Sequence, residues 1–114
     1  MTIQHPLPDD LVELIAQRFQ ALADPTRIRL LDSICVRGEA SVQELTDVVG
    51  STQQNVSRHL GVLRDAGIVR RRKVGNYAYY SIVDERVFAL CEDVCGSLEE
   101  QYRALHRVVV GAGA

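Results

Sequence analysis

Between residues 52 and 59 the chain reads Thr-Gln-Gln-Asn-Val-Ser-Arg-His, and residues 70 to 73 read Arg-Arg-Arg-Lys. Side-chain amides and guanidinium groups form paired hydrogen bonds with adenine and guanine edges in a duplex major groove. A block of arginines and lysine neutralises phosphates. Thr52, Gln53, Gln54, Asn55, Ser57, Arg58 and His59 are therefore candidates for reading bases. Arg71, Arg72, Lys73 and Asn76 are candidates for touching the flanking backbone. For His59 a second reading is equally open, a half-buried ring satisfied by a backbone group. Further on, Cys91 and Cys95 stand four residues apart, which on a helix makes them neighbours on one face. Two such thiols can hold a soft metal ion or a metalloid, or be oxidised or persulfidated together. They also fit as small buried apolar groups, so sensing and packing both stay open. Two thiolates fall short of a closed four-ligand site; Glu92, Glu99, Cys35, His106 or a second subunit would have to supply the rest.

The charge that surrounds these residues is uneven. The chain of 114 residues has a formal net charge of −2, yet residues 51–80 carry a local +5, against −4 in residues 1–50 and −4 in residues 81–105. A polyanion responds to the face presented, so the local +5 outweighs the acidic average. A length of 114 residues with 46% hydrophobic and 25% charged residues fits one soluble globular domain over 1–114, with residues 1–8 and 109–114 as tails. No apolar run is long enough for a membrane helix, and the N-terminus has no basic region leading into an apolar stretch. Three cysteines do not make a secreted disulfide framework, which points to the reducing cytoplasm.

The elements that position these groups follow from apolar spacing and caps. Asp9 or Asp10 opens a first helix, with Leu11, Leu14, Ile15, Phe19 and Leu22 at helical spacing. Asp24 with Pro25 starts a second helix that buries Ile28, Leu31 and Ile34. Ser41 and Glu44 form a capping box on a third helix, ended by Gly50. Thr52 caps a fourth, whose apolar stripe is Val56, Leu60 and Leu63. Two short helices joined through a glycine turn, the second polar outside, make a helix-turn-helix. Residues 68–82 read as a two-strand hairpin around Gly75-Asn76. Asp84 then caps a last helix to about residue 108, with Val87, Cys91, Val94, Leu98 and Leu105 at three-to-four spacing. The order is four helices, a two-strand antiparallel wing and a fifth helix, a mainly α winged helix-turn-helix. The last helix would be about 37 Å long, more than so small a core can cover, so a second subunit is expected along Leu11, Ile15, Val87, Cys91, Val94, Leu98 and Leu105.

The stretches "LADPTRIRLL", "VSRHL" with "LRDAGIV", and "YYSI" after the glycine turn together resemble the ArsR-type (ArsR/SmtB) family of small bacterial repressors, over roughly residues 14 to 105. The resemblance implies a homodimer built from the first and last helices. It also implies operator binding, and release by a metal ion, a metalloid or a thiol-modifying species, with no cofactor required. It does not carry the family's usual metal sites across. The third-helix site has a cysteine where this chain has Ser41. The last-helix zinc pattern, D-x-H-x10-H-x2-E/H, reads here Asp84, Arg86, Ser97 and Glu100, with both histidines replaced.

Two other classes of function compete. A thiol enzyme needs a histidine beside a cysteine, but His59 lies in the fourth helix and His106 about four turns beyond Cys91, so no catalytic residue is assigned. A protein-interaction module, or a winged helix without an inducer whose cysteines only pack, is the alternative. An interaction module would present an apolar or acidic fourth-helix face, and Gln53, Gln54 and Arg58 do not fit that.

Overall fold

Asp24, Pro25, Thr26 and Arg27 turn the chain between its first two helices. The Asp24 carboxylate accepts the Arg27 backbone N–H at 3.1 Å, and Pro25 sits in the first turn, where its missing N–H costs nothing. The computed structural model describes the backbone of residues 3–113 and the side chains of residues 3–105. Its elements in order are α1 (Asp9–Leu22), α2 (Pro25–Arg37), β1 (Ala40–Ser41), α3 (Val42–Val49), α4 (Gln53–Asp65), β2 (Val69–Val74), β3 (Tyr77–Ile82) and α5 (Glu85–Gly113). The chain divides into two compact units, one ending at Val83 and the other beginning at Asp84.

The first unit is built on α2, α3 and α4. Leu30, Ile34, Leu45, Val56, Leu60 and Leu63 are fully buried, closed at one edge by Ile68, Val69 and Tyr80. The inward face of α2 differs from the expected one. Leu30, Leu31 and Ile34 are buried, whereas Ile28 is 49% exposed. Counting back by helical spacing, the first residue of that inward face is Arg27. The capping box is present in both directions, with Ser41 Oγ accepting the Glu44 N–H and Glu44 accepting the Ser41 N–H. Gly50 ends α3 in the left-handed region at φ 65°, which a side chain would oppose, and so allows the tight turn into α4.

The wing is a three-stranded antiparallel sheet in the order β1-β3-β2, where a two-strand ribbon was expected. Ala40 and Ser41 pair with Tyr80 and Tyr79, so the wing is tied to the chain just before α3. Between β2 and β3 the loop is two residues, Gly75 and Asn76, since Val74 is opposite Tyr77. Gly75 has φ 58° and, among the described residues, only glycines have positive φ, the signature of a II′ rather than a I′ hairpin turn.

In the second unit α5 runs 29 residues to Gly113, past the expected end near residue 108. Residues 106–110 contain no proline or glycine to stop it. Residues 3–8 form no helix or strand.

Candidate nucleic-acid interface and thiol pair

α4 starts where Thr52 Oγ1 accepts the Asn55 N–H at 3.1 Å. Gln53, Gln54, Ser57 and Arg58 lie exposed on its outer side. An open groove of about 730 Å³ is lined by Gln53, Gln54 and Ser57 of α4, by Asn76, Tyr77 and Ala78 of the wing, and by Ser41, Val42 and Gln43 at the start of α3. The groove joins the two sequence-predicted sets, the helix amides and the wing turn, across one concave surface. Three side chains are already engaged along the outer part of this helix, Gln53, Asn55 and Arg58. Gln53 donates to Gln43 Oε1 at 3.2 Å. Asn55 donates to Ser51 Oγ at 2.8 Å while its carbonyl accepts from Arg58 at 2.7 Å, so Asn55 orients Arg58 and is itself half-buried.

His59 is not on this outer face. It is 7% exposed, its Nδ1 lies 3.1 Å from Arg27 Nη1, and the Asp24 carboxylate is 3.9 Å away. Burial holds its imidazole below the ordinary histidine range; Asp24 opposes that shift, and Arg58 and Arg27 add to it. The helical pattern Val56, His59, Leu60, Leu63 is the sequence signal for this placement, since all four are buried.

The wing arginines differ from one another. Arg70, Arg71 and Lys73 are exposed. Arg72 donates to both carboxylate oxygens of Glu39, at 2.6 and 3.1 Å, and lies 5.3 Å over the Tyr79 ring. That hydrogen bond holds the Glu39 carboxyl below its ordinary range and raises Arg72. Arg72, expected as a phosphate contact, is thus committed to a clasp across the three strands.

In the second unit, neither Cys91 nor Cys95 is in a disulfide; Cys91 is half-buried and Cys95 exposed. Burial pushes the Cys91 thiol up, so it is protonated at neutral pH until a ligand displaces the proton. Among the described residues no group of three or more histidines, cysteines and carboxylates is placed to hold a metal ion. His106, named as a further ligand, lies outside the described side chains; Cys35 is half-buried on α2. Arg86, where the resembling zinc pattern has histidine, donates to the Asp84 carboxylate at 2.9 to 3.2 Å. A cation of the chain itself therefore sits against that carboxylate. Of the expected interface residues, Val94, Leu98 and Leu105 are 51–64% exposed and Ile15 is exposed, while Leu11 and Cys91 are half-buried. Val87 is buried at 6% exposure and offers no surface to a partner.

A helix-turn-helix whose second helix shares a groove with a basic β-wing defines a winged-helix DNA-binding protein. A helix-turn-helix domain family model matches residues 22–72. The chain is 43% identical over 94 residues to the HTH-type transcriptional regulator KmtR of Mycobacterium tuberculosis, covering 82% of this chain and 72% of that protein. It is 36% identical over 87 residues to the arsenical resistance operon repressor of Bacillus subtilis, covering 75% and 83%. Its fold matches a homodimeric winged helix-turn-helix DNA-binding domain from Mycobacterium bovis with a TM-score of 0.72 at 30% identity, covering 84% of this chain and 91% of that one. The chain belongs to the ArsR-type family of transcriptional regulators, and it is a DNA-binding regulator rather than an enzyme. No described helix is long and apolar enough to cross a membrane.

Proposed function

We propose that the chain is a cytoplasmic repressor that binds its operator as a homodimer, reading base edges with Gln53, Gln54, Ser57 and Arg58. Arg70, Arg71, Lys73 and Asn76 contact the flanking backbone. The observation that carries this reading is the groove shared by the outer face of α4 and the wing turn. Asn55 acts by aiming Arg58, and Thr52 by fixing the helix end toward phosphate. The dimer forms through α1 and α5, whose Ile15, Val94, Leu98 and Leu105 are exposed apolar groups; the homodimeric Mycobacterium bovis domain supports a second copy as the occupant. Release is by a soft metal ion, metalloid or thiol-modifying species at Cys91 and Cys95. The arsenical resistance repressor among the relatives supports that chemical class.

The test is binding to the DNA upstream of the chain's own coding region. Gln54→Ala and Arg58→Ala each lose about 1–3 kcal/mol of discrimination against scrambled DNA. If both kept wild-type discrimination, α4 would not be the reading helix.

A further inference from the structure

His59 sits on the inner side of the helix that reads DNA, and what it meets there is a cation rather than the apolar core. Arg27 stands at the first position of the inward face of α2. Its guanidinium donates through Nε to the Ala21 carbonyl at 2.7 Å, through Nη2 to the Gln20 carbonyl at 3.4 Å, and through Nη1 to His59 Nδ1 at 3.1 Å. Its backbone N–H is held by Asp24. Through its side chain Arg27 therefore binds the last turn of α1 and the middle of α4, and through its backbone the cap of α2. A second arginine, Arg18 of α1, donates to the Ala66 carbonyl at the end of α4, at 3.2 Å.

A guanidinium has donors and no acceptor, so the bond to Nδ1 requires that nitrogen to present a lone pair. His59 is then neutral, with its hydrogen on Nε2. We propose that Arg27 and neutral His59 are the positioning pair of the reading helix, a polar joint that sets α4 against the α1–α2 corner and opens when His59 takes a proton. This rests on α4 being the reading helix, as above. A proton on Nδ1 would set donor against donor and place a charge on a buried ring beside the Arg27 guanidinium. The charges acting on the ring are Asp24 and Arg27 from the α2 start and Arg58 from α4 itself, and only Asp24, at 3.9 Å, favours the imidazolium. Burial and the two arginines prevail, so the folded value lies below that of the unfolded chain. The unfolded state binds more protons between the two values, and the joint is intact above about pH 6.5 and weakens as pH falls below it.

This predicts the opposite of a histidine that touches phosphate, for which DNA affinity rises as pH falls. The experiment uses the full chain with His5 and His106 replaced by glutamine, leaving His59 as the single imidazole of the three. Binding to the upstream duplex is followed by anisotropy from pH 8 to 5.5 at fixed ionic strength. Affinity holds through neutral pH and then falls several-fold as the pH drops through the lowered His59 range. His59→Asn keeps an acceptor near the Nδ1 position without a titrating proton, and its profile is flat. Ring-nitrogen NMR of the free protein at pH 7.5 shows Nε2–H with Nδ1 unprotonated, a readout that needs neither DNA nor a variant. An Nδ1–H tautomer, an affinity that rises in acid, or a fall that persists in His59→Asn would overturn the proposal. The failure of α4 as reading helix is read separately, from Gln54→Ala and Arg58→Ala at pH 7.5.

Discussion

α4 and α5 are both amphipathic, and both carry the side chains on which function is proposed to turn. They differ in what happens to their apolar residues. Val56, Leu60 and Leu63 of α4 are fully buried, so its polar outer side is what the chain presents. Val94, Leu98, Tyr102 and Leu105 of α5 remain exposed on a helix of 29 residues. A helix whose apolar stripe is satisfied at home is free to present chemistry outward. One whose stripe is bare calls for another surface, which is why α5 is proposed to carry both the dimer contact and the inducer.

The largest effects expected test this contrast directly. Leu60→Ala removes a fully buried side chain and costs about 2–5 kcal/mol, read from a denaturant melt. Leu98→Arg leaves the first unit intact and turns the dimer into monomers by sedimentation. A stable dimer in Leu98→Arg, or a Leu60→Ala protein as stable as wild type, would erase the distinction between the two helices.

The next effect is smaller and concerns the coupling between the helices. Replacing Cys91 and Cys95 by serine abolishes the response of operator binding to arsenite, cadmium, zinc, nickel or a persulfide donor, a coupling of about 1–3 kcal/mol in wild type. Because burial raises the Cys91 thiol, a metal must displace its proton, and the response strengthens as pH rises. An undiminished response in the double variant would return both cysteines to packing.

What is legible in the sequence follows local rules. Asp24, Ser41 and Thr52 cap α2, α3 and α4, because a cap needs only a residue three positions ahead. The polar outer side of α4 and the two-residue wing turn are legible for the same reason. What the sequence hides depends on distant partners. β1 is two residues long and exists only because Tyr79 and Tyr80, some forty residues later, pair with it. Arg72 looks like Arg71 until Glu39 is placed beside it, 33 residues upstream. His59 is ambiguous in sequence although the 56-59-60-63 spacing puts it inside, because its polar partner, Arg27, lies on another helix. The inward face of α2 is displaced for a related reason, Leu30 rather than Ile28 meeting the other helices.

Within the wing the same contrast recurs on a smaller scale, between charges that are committed and charges that are open. Neutralising Arg71 and Lys73 weakens binding to all duplexes alike and lowers the slope of log affinity against log salt by about 0.9 for each phosphate left without its cation. Arg72→Gln lowers it less, since that guanidinium is already paired with Glu39. Equal slopes for Arg71→Gln and Arg72→Gln would put all three charges on phosphate.

The smallest expected effect comes from opening that pair. Glu39→Gln removes the carboxylate that holds Arg72, and the released guanidinium becomes available to a phosphate near the wing turn. The salt slope should steepen by up to about 0.9, while the fold is nearly unaffected because an exposed ion pair contributes little. Acid should act in the same direction. Arg72 lowers the Glu39 carboxyl, so the pair is fully formed above the ordinary glutamate range and is lost as pH falls through the lowered value. At neutral pH the clasp is closed, so wild type is expected to neutralise fewer phosphates than its wing carries charges. A Glu39→Gln protein whose salt slope matches wild type would mean that Arg72 stays over Tyr79 without its carboxylate, held there by the ring alone.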